Sequence, residues 1–424
     1  MSMQSALSGL NATSSALDSI GNNIANASTV GFKQASPQFA DMFAASLGGA
    51  GSNQVGMGTT LSTVAQQFSQ GSITGTNNPM DVAINGGGFF QMSGTNGITY
   101  TRDGQFQLDQ NGYIVDASGN KLQGAYSSTV GAAASNQGSI KIQVGQMQAV
   151  TTTNLAVGLN LDARESVPAT ATFSPNDPTS YNQSTSATVY DSLGVPHTLG
   201  MYFVKTGANA WNVYTNIDGG TTPSPATPPA VASLFGPTAF TFDTSGNLLT
   251  PAAASPLPKG GVAQNFSVSS GAAPLAFTLN LGASTQFGNS FAVNSVTQDG
   301  SAPGDFLGLT ISPDGSINGQ YSNGKSGTLA QISTYTFPNP NGLTPIGGNQ
   351  WAPNNSSING SGPAVPGKPG SGQNGVLQSS AVEGSNVDLT AQLVDMITQQ
   401  RNYQANAQTI KTEDSIMQTL INLR

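Results

Sequence analysis

Apolar positions recur every seven residues at the two ends of this chain and every second residue between them. Met3, Leu10, Leu17 and Ile24 lie seven apart, and Ala6, Thr13, Ile20 and Ala27 follow each of them by three. That is the a/d repeat of helices that pair along a seam. At the other end Leu389, Met396, Tyr403, Ile410 and Met417 keep the same interval, with Leu393, Ala407 and Ile421 as a second column four residues on. Ser385 is a candidate N-cap and Asp388 stands three residues after it, as in a capping box. The spacing predicts a helix over about 386–423, roughly 55 Å long at 1.5 Å per residue. The polar positions of these ends are unusual. Between Met1 and Val30 the only charge is Asp18, and the outward positions are Ser, Asn, Gln and Thr. A solvated helix normally presents Lys and Glu there. Two helices closing an ordinary domain would show the same heptads. The uncharged faces, placed at both extremes of the chain, favour helices covered on several sides by copies of themselves.

Between the helices the period falls to two, punctuated by turn dipeptides. Val82, Ile84 and Phe89-Phe90 flank three glycines, and Thr99-Tyr100-Thr101, Phe106, Leu108 and Tyr113-Ile114-Val115 are separated by Asp103-Gly104 and Asn111-Gly112. A second block holds Ala187–Tyr190, Met201–Val204 and Trp211–Tyr214, followed by Pro-rich loops over Thr221–Ala230. A third runs from Leu307–Ile311 to Leu329–Ile332. The expected fold is α+β: paired, coiled-coil-like N- and C-terminal helices with two nested, mainly antiparallel β-domains inserted between them. Residues 1–30 and 385–424 form the helical domain and 31–77 a linker region. An inner β-domain takes 78–145 and 306–365, an outer one takes 146–305, and 366–384 is a Gly/Pro/Ser-rich return linker.

Composition narrows the function. Only 8% of the 424 residues are charged, the net charge is −8, and the twelve Lys and Arg are scattered. No basic stripe exists for a phosphate backbone, so nucleic acid is not an expected partner. No apolar run reaches the ~18 residues of a membrane span, so no membrane insertion is expected. The chain has no cysteine, which excludes disulfides and thiolate metal sites and suits export in an unfolded state. Met1–Val30 has neither a basic start nor a continuous apolar core, so a cleaved Sec-type signal peptide is not expected.

Several strings then carry a family resemblance. The run from Asn22, Asn23 and Ile24 through Asn26 and Thr29 to Gly31, Phe32 and Lys33 resembles the N-terminal signature of flagellar axial proteins: rod, hook and hook-filament junction. Asp81–Phe90, Tyr100–Gly104, Ser385–Leu389 and Gln400–Asn406 resemble further segments of that family. Val189–Gly194 with His197 and Met201–Val204, and Tyr321–Gly324 through Phe337–Leu343, resemble hook subunits in particular; residues 220–300 carry no motif of the resemblance. The resemblance implies a homopolymer whose terminal helices line a tube around an export channel. It implies a middle shell from the inner β-domain and sliding contacts from the outer one. It further implies an extracellular site in the hook, contacts with distal rod, hook cap and hook-filament junction proteins, and delivery by the flagellar type III export apparatus. The expected helix-seam residues are Met3, Leu10, Leu17, Ile20, Ile24, Leu389, Leu393, Met396, Tyr403, Ile410 and Met417. A rod or junction subunit, and a secreted glycan-binding β-protein, are the competing readings.

Enzyme chemistry is poorly supplied, and no catalytic, cofactor or metal site is expected. Gly319–Ser326 satisfies the G-x-x-x-x-G-K-[ST] string, but strand-like alternation follows where a phosphate loop needs a helix. Asp109–Gly112 resembles the start of a calcium loop, yet the twelfth position is Asn120 instead of Glu; a turn is expected. His197 is the only histidine, without a cysteine or second imidazole to share a metal, and is expected on a strand surface.

Overall fold

The computed structural model describes residues 3–42, 56–95, 97–126, 136–142, 145–221, 233–268 and 271–422. The Pro-rich loop read at Thr221–Ala230 lies, after its first residue, outside them. The described chain begins with helix α1 (Met3–Ala25) and ends with helix α2 (Leu389–Asn422); everything longer than a turn between them is strand, mostly in antiparallel pairs. It divides into two compact units. One comprises Met1–Val144, Gly308–Gly319 and Ser326–Arg424, the other Gly145–Leu307 and Gln320–Lys325.

In the first unit, strands β1 (Ala35–Met42) and β2 (Gly58–Gln66) form an antiparallel pair with a register shift at Gln38/Phe39. The segment read as a linker over 31–77 is therefore largely strand where it is described. The return segment 366–384 is also structured: Val376–Ser379 pairs with Val82–Asn85, and Ala381–Glu383 with Ile73–Gly75. Backbone groups leaving a helix for a buried sheet need partners, and these short pairings supply them. The larger sheet of this unit is built around Phe89–Gly94, Gly97–Thr101 and Lys121–Tyr126. Its aromatic core joins Phe89, Tyr100, Phe337, Leu343 and Trp351, with Phe68 edge-on to both Phe89 and Trp351.

The second unit holds two five-stranded sheets. One runs in antiparallel order through Gln183–Tyr190, Pro196–Gly207, Ala210–Ile217, Leu234–Phe242 and Leu248–Thr250. In the other, Asn154–Asp162 lies antiparallel to Ala292–Gln298 but parallel to Leu275–Asn280 and Thr285–Phe287. Alternate residues of the first sheet (Leu199, Met201, Phe203, Trp211, Val213) share one core with Leu155, Val157, Leu159, Phe277 and Leu279 of the second. Period-two patterning places every other side chain on one face, which is why the Met201–Val204 and Trp211–Tyr214 strings were legible as strands.

One turn recurs in both units. Asp109, Asp116, Asp191 and Asp243 each accept, through Oδ1, the backbone N–H groups two and four residues ahead at 2.7–2.9 Å. Glycine stands three residues after each, at φ +83, +81, +80 and +83, a conformation that costs a Cβ-bearing residue. The Asp109 string is thus one of four equivalent turns. Hydrogen bonds from the Asn247 backbone and side chain hold the Asp243 carboxyl below its ordinary value of 3.8. A depressed native pKa stabilises above the unfolded value, and the contribution is lost as pH falls through the native one. Asp243→Asn should therefore lower the thermal midpoint of the second unit at pH 7 and make progressively less difference below pH 3.8, as calorimetry of both proteins across that range would read.

The string Gly319–Ser326 folds as a hairpin tip. Tyr321 and Gly324 donate backbone N–H groups to Lys325 O and Tyr321 O, with Gly324 at φ +74, between strands Ser316–Tyr321 and Ser326–Ile332. His197 departs from expectation. It is 7% exposed instead of lying on the strand surface, because it falls on the inward side of the Pro196–Gly207 alternation and finds carboxylates there.

Candidate assembly surface

Helix α1 buries Ala6, Thr13, Ala16, Ile20 and Asn23; with Gly9 these positions step by three and four in turn and so share one face of the helix. Asn23 Nδ2 donates to Gln392 Oε1 at 3.0 Å, and a Cβ on Gly9 would lie 2.9 Å from Asn406 Nδ2. An early residue of α1 thus meets a late residue of α2 and the reverse, so the helices run antiparallel. Small residues on α1 permit the close approach. The facing positions of α2, Gln392, Gln399 and Asn406, are polar. A buried amide pair such as Asn23–Gln392 fixes register at some cost in stability.

The predicted seam residues divide accordingly. Ile20 is buried on the α2-facing side, while Leu10, Leu17 and Ile24 are half-buried on its flank and Met3 is exposed. On α2, Met396 and Ile410 are half-buried, whereas Leu389, Leu393, Tyr403 and Met417 are exposed. Heptad periodicity alone does not say which of two adjacent columns faces the partner; here the column of small residues does, and the leucines stay at its edge. Helix α2 starts later than expected. Asp388 Oδ1 accepts the N–H groups of Thr390 (2.9 Å) and Ala391 (3.2 Å), which makes Asp388 the N-cap in place of Ser385. A carboxylate at that end also complements the helix dipole.

The helices differ in length, 23 residues against 34. With Gly9 beside Asn406 and Asn23 beside Gln392, Met3 falls opposite about residue 412. The remaining turns of α2 have no α1 residue beside them among the described residues. Their apolar side chains Ile416, Met417 and Ile421 are 50, 58 and 70% exposed, and Met417 continues the heptad of Met396, Tyr403 and Ile410. Apolar side chains at helical spacing and this exposed are characteristic of association surfaces.

The helix pair is fastened to the β-structure of its unit by the residues of the N-terminal signature. Asn23 brackets Ala35, accepting its N–H at 3.0 Å and donating to its carbonyl at 2.8 Å. Asn26 donates to Asn22 O at 2.9 Å and accepts from the Thr29 hydroxyl at 3.2 Å, closing the turn after α1. Gly31 takes φ +72, where a Cβ would lie 2.6 Å from Asp103 N, and its N–H donates to Glu383 O at 2.8 Å. Phe32 is half-buried. From the C-terminal side Asn386 accepts Gln34 N–H at 2.8 Å and donates to Gln67 O at 2.7 Å.

At the centre lies a buried charge cluster. Glu383, fully buried, receives Lys33 Nζ at 2.6 Å and Arg102 Nη1 at 2.9 Å, and accepts Gly71 N–H at 2.9 Å. Lys33 also donates to Ser69 O (2.7 Å) and Arg102 to Gly86 O (2.9 Å), with the guanidinium over the Phe89 ring. Burial pushes the Lys33 ammonium below its ordinary value and Glu383 works against that shift. Lys33 belonged to the recognised signature and Arg102 to a recognised string, but nothing local marked Glu383 as their common partner. It is 350 residues from one and 281 from the other. The available signal was scarcity: in a chain with 8% charged residues, a charge inside an apolar string needs an explanation. Among the described residues, no group of three or more His, Asp or Glu is placed to hold a metal, and no helix is long and apolar enough to cross a membrane.

Four family models match in succession. They are the flagella basal body rod protein over residues 3–33 and the flagellar hook protein FlgE/F/G D1 domain over 83–160, then the flagellar basal body protein FlaE D2 domain over 160–301 and the flagellar basal body rod FlgEFG protein C-terminal model over 378–423. Together with the helix–strand–helix order they define an axial protein of the bacterial flagellum. Flagellar hook protein FlgE of Escherichia coli is 41% identical over the full length of both chains, that of Salmonella typhimurium 40%, and that of Treponema pallidum 32% with 99% of its length covered. The chain belongs to the flagellar hook protein FlgE family. It is thus a structural component of the hook, within a polymeric axial assembly, in a family that is not one of enzymes. The crystal structure of Helicobacter pylori FlgE2 shares the fold at a TM-score of 0.53 and 14% identity, covering 73% of this chain and all of that one.

Proposed function

We propose that copies of this chain polymerise through their terminal helices into a bendable tube that carries torque from rod to filament and encloses the export channel. The observation that carries this reading is the overhang of α2, whose heptad runs on past the end of α1 with Ile416, Met417 and Ile421 exposed. A neighbouring copy is the natural cover, since identical seams repeat along a helical polymer. Residues 1–30 and 385–424 then form the inner tube as coiled-coil-like pairs. The β-domain of 78–145 and 306–365 forms the middle shell, joined to the tube through 31–77 and 366–384, and the nested domain of 146–305 the outer one. Leu389, Leu393 and Tyr403 on α2, and Met3, Leu10, Leu17 and Ile24 on α1, supply apolar seams to further neighbours. The channel face is left to Ser, Asn, Gln and Thr, polar enough to stay wet and too weakly charged to hold a passing chain. Bending requires weak, interchangeable outer contacts, and exposed polar pairs contribute little each. The subunit leaves the cell unfolded through the type III export apparatus, and meets distal rod, hook cap and junction proteins at the ends of the polymer. Electron microscopy of basal bodies from cells lacking the chain tests this. Complete rods without hooks are expected. Truncated rods would move the subunit to the rod, and hooks lacking filaments would move it to the junction.

A further inference from the structure

The single histidine of the chain sits in the second unit with a carboxylate at each ring nitrogen. His197 Nδ1 is 2.6 Å from Asp218 Oδ2 and Nε2 is 3.3 Å from Asp191 Oδ2. Asp191 is fully buried and its other oxygen closes the 191–195 turn through Leu193 N–H and Val195 N–H. Asp218 follows the strand Ala210–Ile217 at φ +49, and its Oδ1 accepts Thr198 N–H at 2.9 Å. The imidazole therefore stands between two turns that follow different strands. Asp191 and Asp218 are the charged groups that face it from those elements.

A carboxylate only accepts hydrogen bonds, and a neutral imidazole has one N–H to give. Both contacts are hydrogen bonds only when the ring carries two protons. We propose that His197 is a proton-operated latch of the second unit, tying the 191–195 turn to the Asp218 turn as an imidazolium and releasing the former when it loses its proton. The closer Asp218 contact retains the remaining proton on Nδ1. The Nε2 lone pair then faces Asp191, which keeps its backbone donors but loses the cation opposite it. Burial of the ring disfavours the cation, but the hydrogen bonds it donates to Asp218 and then Asp191 outweigh burial and hold the native pKa above the ordinary value of 6.5. With the native value raised above the unfolded one, the latch contributes fully below pH 6.5. Its contribution disappears as pH rises through the native value. The latch therefore stabilises the second unit more on the acid side of the native value than on its alkaline side, opposite in sign to the Asp243 turn.

The test uses the full-length monomer, in which one imidazole gives one set of ring resonances. An NMR titration should show a single midpoint above 6.5, and Asp218→Asn should move it down. In calorimetry the wild-type second unit should lose thermal midpoint between pH 6.5 and the native pKa, while His197→Gln should be flat over that range. A ring midpoint at or below 6.5, or a His197→Gln protein with the wild-type pH slope, would overturn the latch. Should His197→Gln fail to fold, the wild-type titration alone decides.

Discussion

Replacing Glu383 by Gln is expected to destabilise the first unit by about 3–5 kcal/mol, the usual consequence of leaving a buried charge without its partner. Here two cations lose one shared carboxylate. Burial and the neighbouring guanidinium already press the Lys33 ammonium toward its neutral form, and Glu383 supplies the opposing pull. Arg102 has no such escape, because a guanidinium stays protonated, and its Nε has no hydrogen-bond partner among the described residues. Simultaneous replacement of Lys33, Arg102 and Glu383 by Met, Met and Leu should recover only part of the loss. Apolar triads can match ionic ones in energy, but this substitution strips partners from Gly71 N–H, Ser69 O and Gly86 O. Urea unfolding followed by Trp351 fluorescence in a Trp211→Phe background reads the first unit, and Trp211 fluorescence in a Trp351→Phe background reads the second, since Trp351 lies in the core of the first and Trp211 in that of the second. A Glu383→Gln midpoint within error of wild type would mean that the cluster is electrostatically idle. A shift shared equally by both units would mean that they unfold as one.

The same cluster shows where sequence reading stops. Heptads and alternation are local, so the two helices, the turns and the strands around Met201 and Trp211 could be read from spacing alone. The strands between 234 and 298 were hidden, because their segments carry so many Pro, Gly, Ala and Ser that no period stands out. What makes them strands is cross-sheet burial, as where Phe266 and Phe277 join the core. The junction was half legible. Asn23, Asn26, Gly31 and Lys33 stood out as a family signature, yet their roles depend on partners at Ala35, Gln392, Asp103 and Glu383. A signature tells that a side chain is needed; only the folded chain tells which backbone group Asn23 holds or which carboxylate Lys33 meets. His197 erred in the other direction. Alternation put it on one face of a strand, but the choice between inside and outside depended on carboxylates 6 and 21 residues away.

The second large effect is expected at the overhang of α2, on assembly and not on folding. Met417→Gln with Ile421→Gln keeps residues of good helix propensity at positions already 58 and 70% exposed. Monomer unfolding should therefore move by no more than about 0.5 kcal/mol, the range of ordinary surface changes. In the polymer each side chain that becomes covered is worth roughly 1.5–3 kcal/mol. Losing both then removes about 3–6 kcal/mol per subunit and raises the critical concentration on the order of a hundred- to ten-thousand-fold. Sedimentation of polymer against subunit concentration measures this directly. In cells whose only copy is the double variant, basal bodies should end at the rod with the subunit exported and soluble. Hooks of normal number and length from that variant would place the inter-subunit seam elsewhere on the helices. The next surface to substitute would then be Leu389, Leu393 and Val394, which are also exposed on α2 but lie away from the overhang. A monomer that melts early would instead mean that the overhang folds back on its own chain.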